Sequence, residues 1–181
     1  MGVVKLGPFN HLGLVVRNIE ETAAFYNDIF GIGPFTVDTY ELKGIKYRGQ
    51  PTNATVRGAF GFQGDLMIEL VEVTEGKTPH TEFMEARGEG VQHIAFPVED
   101  METALKDLAE KGIVPILEYQ FIADAAPVSE PDPQKRRPMQ VWEAYLDTEE
   151  RAGGVVIQLM ELKEVSEDSD VTYVANPSSE A

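Results

Sequence analysis

His11 and His93 occupy the same place in two stretches of the chain that read alike. The stretches are Phe9-Asn10-His11-Leu12-Gly13-Leu14-Val15-Val16 and Val91-Gln92-His93-Ile94-Ala95-Phe96-Pro97-Val98, offset by 82 residues. A second pair recurs downstream: Glu69 in Leu66-Met67-Ile68-Glu69-Leu70 falls opposite Gln158 in Val155-Val156-Ile157-Gln158-Leu159. Two imidazoles, a carboxylate and an amide oxygen together make a donor set for one divalent metal ion, and Zn, Ni, Co, Mn or Fe(II) would each suit it. A lone histidine in a strand is more often a hydrogen-bonded core residue, and a lone glutamate more often faces water. A Glu and a Gln inside apolar strands are costly to bury without partners, however, and a bound cation satisfies both. Recurrence of all four at matching positions favours a metal site held by His11, Glu69, His93 and Gln158. His80 has no counterpart in the repeat and falls in the linker, so it is left outside the expected site.

The elements that must position these groups also recur. Asn18 and Asp100 follow the histidine segments and suit helix N-caps. Ile19, Ala23 and Tyr26 match Met101, Leu105 and Leu108, spaced by four and three as in an amphipathic helix. Gly31 and Gly112 suit the helix ends. Runs rich in β-formers then predict strands over 35–42, 54–62 and 66–73, with Gly61-Phe62-Gln63-Gly64-Asp65 as a hairpin turn. Their counterparts are 113–120, 139–146 and 154–162. The longer offset of the last pair places a Pro-rich loop at 121–138. The chain therefore divides into a first β-α-β-β-β module (1–77), a linker with a short helix over 78–87 (78–90), a second module (91–163) and an acidic tail (164–181). The fold class is α+β, with eight strands and two principal helices.

Composition narrows the partners. The chain of 181 residues has a formal charge of -16, which argues against nucleic acid or anionic membrane as a partner, since phosphate binding needs clustered Lys and Arg. Lys135-Arg136-Arg137 is the one basic island; it could meet an anionic substrate, though a solvated loop is the plainer account. With no cysteine, disulfides, thiolate ligands and cysteine nucleophiles are excluded. No apolar run approaches the roughly 20 residues of a membrane span, and Met1-Gly2-Val3-Val4-Lys5 does not open a secretory signal. A cytoplasmic protein is expected.

The histidine strands, the helix through Phe25-Tyr26 and Gly90-Val91-Gln92-His93-Ile94-Ala95-Phe96 resemble the vicinal oxygen chelate (glyoxalase/bleomycin resistance/dioxygenase) superfamily. Within it, the chain looks most like the methylmalonyl-CoA epimerase and glyoxalase I groups. The resemblance covers residues 8 to about 163 and implies paired modules curling into an open, eight-stranded, barrel-like cup around the metal, a homodimer, and a small-molecule substrate with two adjacent oxygens. It implies an isomerase, epimerase or lyase that moves a proton beside a metal-polarised carbonyl. Two departures stand out. The carboxylate ligand falls in the first module and the amide in the second, the reverse of the epimerase order. The strand expected to supply a second acid, Ala54-Thr55-Val56-Arg57-Gly58-Ala59-Phe60, has none. Glu69 is then the expected catalytic base, with Glu161 and Tyr145 in reserve, and Arg57 is a candidate to hold a substrate anion. The alternatives are an Fe(II) ring-cleaving dioxygenase and a non-enzymatic small-molecule binding protein.

Overall fold

Each module of the chain spends one strand, then a helix, then three strands, and the two modules meet along both edges. The fold is that of a computed structural model describing residues 2–125 and 137–165. Its elements are β1 (His11–Val15), α1 (Ile19–Phe30), β2 (Thr36–Tyr47), β3 (Gln50–Gln63), β4 (Leu66–Gly76), α2 (Pro79–Arg87), β5 (Gly90–Pro97), α3 (Met101–Ala109), β6 (Pro115–Ala125), β7 (Arg137–Leu146) and β8 (Val156–Glu164). The strand order is β1-β4-β3-β2-β6-β7-β8-β5, and β5 returns to β1. Within each module the first strand lies parallel to the last, and the remaining pairs are antiparallel.

The expected eight-stranded, barrel-like cup is present, and its strands close all the way round. One seam is the antiparallel β1–β5 pair, which places His11 opposite Ala95 and His93 opposite Gly13. The other is short, Lys46 opposite Glu118 and Tyr47 opposite Leu117. That second seam exists because β2 continues to Tyr47 rather than stopping at Leu42. A bulge between Leu42 and Ile45 carries it on: Gly44 takes a φ of 66° and its N–H donates to Asn53 Oδ1 at 2.9 Å. Closure pairs each of the eight strands on both sides. The hairpin turn is also tighter than expected, since only Gly64 and Asp65 separate β3 from β4.

α1 and α3 lie against the outside of the barrel. Ile19 at the start of α1 is fully buried with Val16, Ala59, Ile68 and Leu70; Met101 at the start of α3 is fully buried with Ala144, Leu146 and Leu159. Burial of each such side chain contributes roughly 1.5–3 kcal/mol. Asn18 and Asp100 cap the helices, accepting from the backbone N–H of Glu21 and Thr103. A second acceptor is repeated too: Ile19 N–H donates to Glu72 Oε2 at 3.1 Å, and Met101 N–H to Glu161 Oε1 at 2.9 Å. Glu161 is therefore committed to the α3 terminus. A third cluster, with Val56, Val71, Leu117, Tyr145 and Val156, fills the barrel interior. No helix among the described residues is long and apolar enough to cross a membrane. Lys135, Arg136 and residues 166–181 of the tail lie outside the described residues; Arg137 opens β7 and pairs with Glu164.

Candidate metal centre

Strand alternation turns His11 and His93 inward at the β1–β5 seam, and β4 brings Glu69 beside them because Gly13 registers opposite Glu69. The symmetric register, Ala95 opposite Gln158, brings in β8. His11 and His93 are buried, their Nε2 atoms 3.3 Å apart. Glu69 Oε2 lies 3.0 Å from His93 Nε2 and 3.3 Å from His11 Nε2.

The other ring nitrogens decide what this contact means. His11 Nδ1 lies 2.8 Å from Asn10 Oδ1, and His93 Nδ1 lies 2.7 Å from Gln92 Oε1. Those amide oxygens only accept, so both Nδ1 atoms donate, and both neutral rings present a bare Nε2 lone pair to the same point. A carboxylate oxygen presents a third. Three mutually facing lone pairs repel unless a cation sits among them; ligand bonds of about 2.1 Å would set ligand–ligand edges of roughly 3.0–3.4 Å. The spacing fits that test. Gln158 offers a further oxygen: its Oε1 is buried with no hydrogen-bond partner, while its amide bonds Glu143. His11, His93, Glu69 and Gln158 could therefore hold one ion.

Glu69 also borders a cavity of about 530 Å³, counted out to its open mouth, inside the barrel. Burial pushes the Glu69 carboxyl up; in the metal-free site a proton taken up on His11 or His93 Nε2 and donated to the carboxylate outweighs it and holds the group well below the usual carboxylate range. Glu143 on β7 faces the same cavity, and Tyr119 donates its hydroxyl to Glu143 Oε2 at 2.6 Å. Burial first, and then the charge of Glu69, push Glu143 up to about 7. Burial likewise raises Tyr119 and Tyr145 well above 10. His80, from the first turn of α2, reaches the cavity with neither ring nitrogen partnered. Burial, and then proximity to His93, pull it down to about 3, so it is neutral near pH 7. Burial lowers His93 as well.

Arg57 takes a different position. Val56, Gly58 and Phe60 line the cavity, so Arg57 points to the opposite face of β3. There it pairs with Glu20 and Glu72, the latter at 3.1 Å, and ties α1 to the barrel. Glu143 and His80 were not among the residues expected from the sequence, and both reach the cavity beside Glu69.

Two β-α-β-β-β modules joined into one barrel, with histidines at matching positions on the seam, are the architecture the resemblance implied. Residues 10–128 match the Glyoxalase/Bleomycin resistance protein/Dioxygenase superfamily, and the chain belongs to it. It is 26% identical over 112 residues to mitochondrial methylmalonyl-CoA epimerase of Mus musculus, covering 61% of this chain and 57% of that one. It is 29% identical over 119 residues to 4-hydroxyphenylpyruvate dioxygenase of Danio rerio, covering 65% and 28%. The chain thus matches little more than half of the epimerase and under a third of the dioxygenase. Among solved structures, methylmalonyl-CoA epimerase from Mycobacterium tuberculosis shares the fold with a TM-score of 0.54 and 18% identity, over 92% of this chain and 93% of that one.

Proposed function

We propose that this chain is a divalent-metal enzyme that moves a proton at a carbon beside a carbonyl, as an isomerase, epimerase or lyase acting on a small molecule with two adjacent oxygens. The observation that carries this is the convergence of His11 Nε2, His93 Nε2 and Glu69 Oε2, with both Nδ1 atoms committed as donors. In this proposal Gln158 Oε1 is the fourth ligand. A divalent ion, when bound, supplies Lewis-acid stabilisation of the negative charge that develops on the carbonyl oxygen.

The chain's own residues handle the proton. Two carboxyls whose surroundings drive their affinities for a proton apart are the usual mark of an acid–base pair. Glu69 is held ionised, and Glu143 sits near neutrality in the same cavity. Glu69 is the base toward the substrate C–H, as expected from the sequence. Glu143, steadied by the Tyr119 hydroxyl, returns a proton to the adjacent atom. Solvent reaching the open mouth of the cavity resets the pair, taking the proton from Glu69 and restoring one to Glu143.

The test has two parts. Elemental analysis of purified protein should give one metal per chain, and the His11→Ala/His93→Ala double variant should fold without it; full occupancy in that variant would sink the metal site. Deuterium wash-in beside the carbonyl, followed by proton NMR across α-hydroxy ketones and acyl thioesters, should occur in the parent and drop about a hundredfold in Glu69→Gln, the usual share of one acid–base group. Unchanged exchange would leave Glu69 a ligand only.

A second enzymatic account has one observation in its favour. Two histidines and one carboxylate are also the ligand set of non-haem Fe(II) oxygenases. Oxygen consumption with catechols under Fe(II), without deuterium exchange, would favour it. The proposed protein is cytoplasmic and a homodimer: Phe25, Ile29 and Phe30, exposed by 57%, 63% and 59%, give α1 an apolar outer face suited to a second copy. Sedimentation of a monomer at tens of micromolar, an ordinary working range for such interfaces, would overturn the dimer.

A further inference from the structure

The cavity beside Glu69 has a continuous aromatic wall. Tyr40 meets Phe121 at 6.3 Å between ring centroids, Phe121 meets Tyr119 at 5.7 Å, and Tyr119 stacks on Tyr145 at 6.5 Å. Tyr145 then meets the ring of His93 at 5.2 Å, so the wall runs up to the metal ligands themselves. Phe60 flanks the opposite side, 6.2 Å from His11. Rings in such a row offer faces and edges on which a further ring gains stacking beyond its buried area.

The polar groups in this wall carry no fixed positive charge. Its ionisable side chains are Glu69, Glu143, His80 and tyrosines, and no Lys or Arg is among the described residues that line it. The arginines placed on neighbouring elements are committed elsewhere: Arg48 to Glu82, Arg57 to Glu20 and Glu72, Arg87 to Glu149, and Arg137 to Glu164. A substrate carboxylate lying beyond the oxygens that the metal would hold meets Glu69 and Glu143, and no Lys or Arg among the described residues that line the cavity. Its desolvation would go uncompensated. Against that, both unpartnered nitrogens of His80 offer a neutral donor and a neutral acceptor to an uncharged oxygen.

We infer that the cavity selects an uncharged aromatic compound bearing two adjacent oxygens, such as an aryl hydroxy ketone or aryl dicarbonyl, and rejects an acyl group with its own free carboxylate. This rests on the metal site proposed above for the placement of the paired oxygens.

Three hydroxamic acids share one chelating head and separate the two claims. Calorimetry on metal-loaded protein should find benzohydroxamic acid binding at least tenfold more tightly than acetohydroxamic acid. Succinomonohydroxamic acid, which adds a carboxylate, should bind at least tenfold more weakly than acetohydroxamic acid. A smaller ratio in either comparison overturns the inference. The Phe121→Leu/Tyr40→Leu variant should lose most of the benzohydroxamate advantage while binding acetohydroxamate unchanged; an undiminished advantage would place the ring elsewhere and overturn it too. Failure of the metal reading looks different: no metal by elemental analysis, and no acetohydroxamate binding. The cavity is then read in metal-stripped protein by ligand-observed NMR, where benzyl alcohol should bind and phenylacetate should not. The reverse order overturns the inference independently of the metal.

Discussion

Gly13 lies directly against the imidazole of His93. The two residues face each other across the β1–β5 seam, and a Cβ built on Gly13 would fall 1.9 Å from His93 Cε1 and 2.1 Å from its Nε2. No side chain, even a methyl, can stand there while His93 keeps its place. The counterpart of Gly13 in the second module is Ala95, opposite His11, so the two halves of the seam are not equivalent.

Gly13→Ala should therefore push His93 off the point where His11 and Glu69 meet. Disturbing the support of a metal-binding histidine usually costs 10- to 100-fold in affinity. We expect a loss in that range by competitive metal titration, with the far-ultraviolet circular dichroism unchanged. Parental affinity in the variant would show that His93 is not a ligand.

The same pair shows how much the sequence disclosed. The convergence of His11, Glu69 and His93 was legible because each has a partner in the repeat, Glu69 through Gln158, and repetition survives without any three-dimensional information. What lacked a partner was missed. Glu143 registers with the module position held by Gly58 in the first half, and His80 comes from a linker that occurs once. Glu143 did carry a signal: Met139, Val141, Glu143 and Tyr145 alternate on one face of β7, and an acid in such a row is as costly to bury as Glu69. His80 carried none before folding, because only the packing of α2 brings it to the cavity. The far end of β2 was the part of the barrel that the pattern hid. Period-two alternation ends at Leu42, the bulge moves the next inward residue to Ile45, and without that extension β2 never reaches β6.

Arg57→Ala should act on stability and leave ligand binding alone. Its guanidinium joins Glu20 and Glu72 on the outer face, partly exposed to solvent, which limits the loss to about 1 kcal/mol. Urea unfolding should show that loss, while affinity for benzohydroxamic acid stays within twofold of the parent. A tenfold loss of affinity would return Arg57 to the role expected from the sequence.

His80→Phe should stabilise the metal-free protein and impair its chemistry. Two unpartnered buried nitrogens cost on the order of 1–3 kcal/mol, which an apolar ring of similar shape would recover in part. A pH dependence adds to it. Folding lowers His80 from 6.5 to about 3, so below pH 6.5 the unfolded chain binds a proton that the folded one refuses. The parent loses stability from this group as pH falls, by about 1.4 kcal/mol per unit. The advantage of the variant should grow accordingly between pH 6.5 and 5. If His80→Phe were less stable at both values, the side chain would have partners in solution.

Glu143→Gln isolates the carboxyl that the sequence concealed. Burial and the charge of Glu69 raise it from 4.5 to about 7 in the metal-free fold. Across that window the folded protein keeps a proton that the unfolded chain has released, so the contribution of this group to stability falls as pH rises. At 1.36 kcal/mol per unit the total is roughly 3 kcal/mol. Glutamine cannot titrate, so relative to the parent the variant should gain about that much between pH 4.5 and 7, with no change in their difference below pH 4.5. Comparing the two proteins cancels the opposing trend from His80, which both retain. Urea unfolding after metal removal measures it, and parallel stability curves would mean that Glu143 titrates normally. The metal then supplies a second check. A cation beside Glu69 offsets the negative charge that helps raise Glu143, so loading should shift its titration downward. The limb of the pH–rate profile assigned to Glu143 should lie below 7 in the loaded enzyme and vanish in Glu143→Gln, with turnover reduced about a hundredfold. A profile identical to the parent's would remove Glu143 from the proton path and leave Glu69 to act alone.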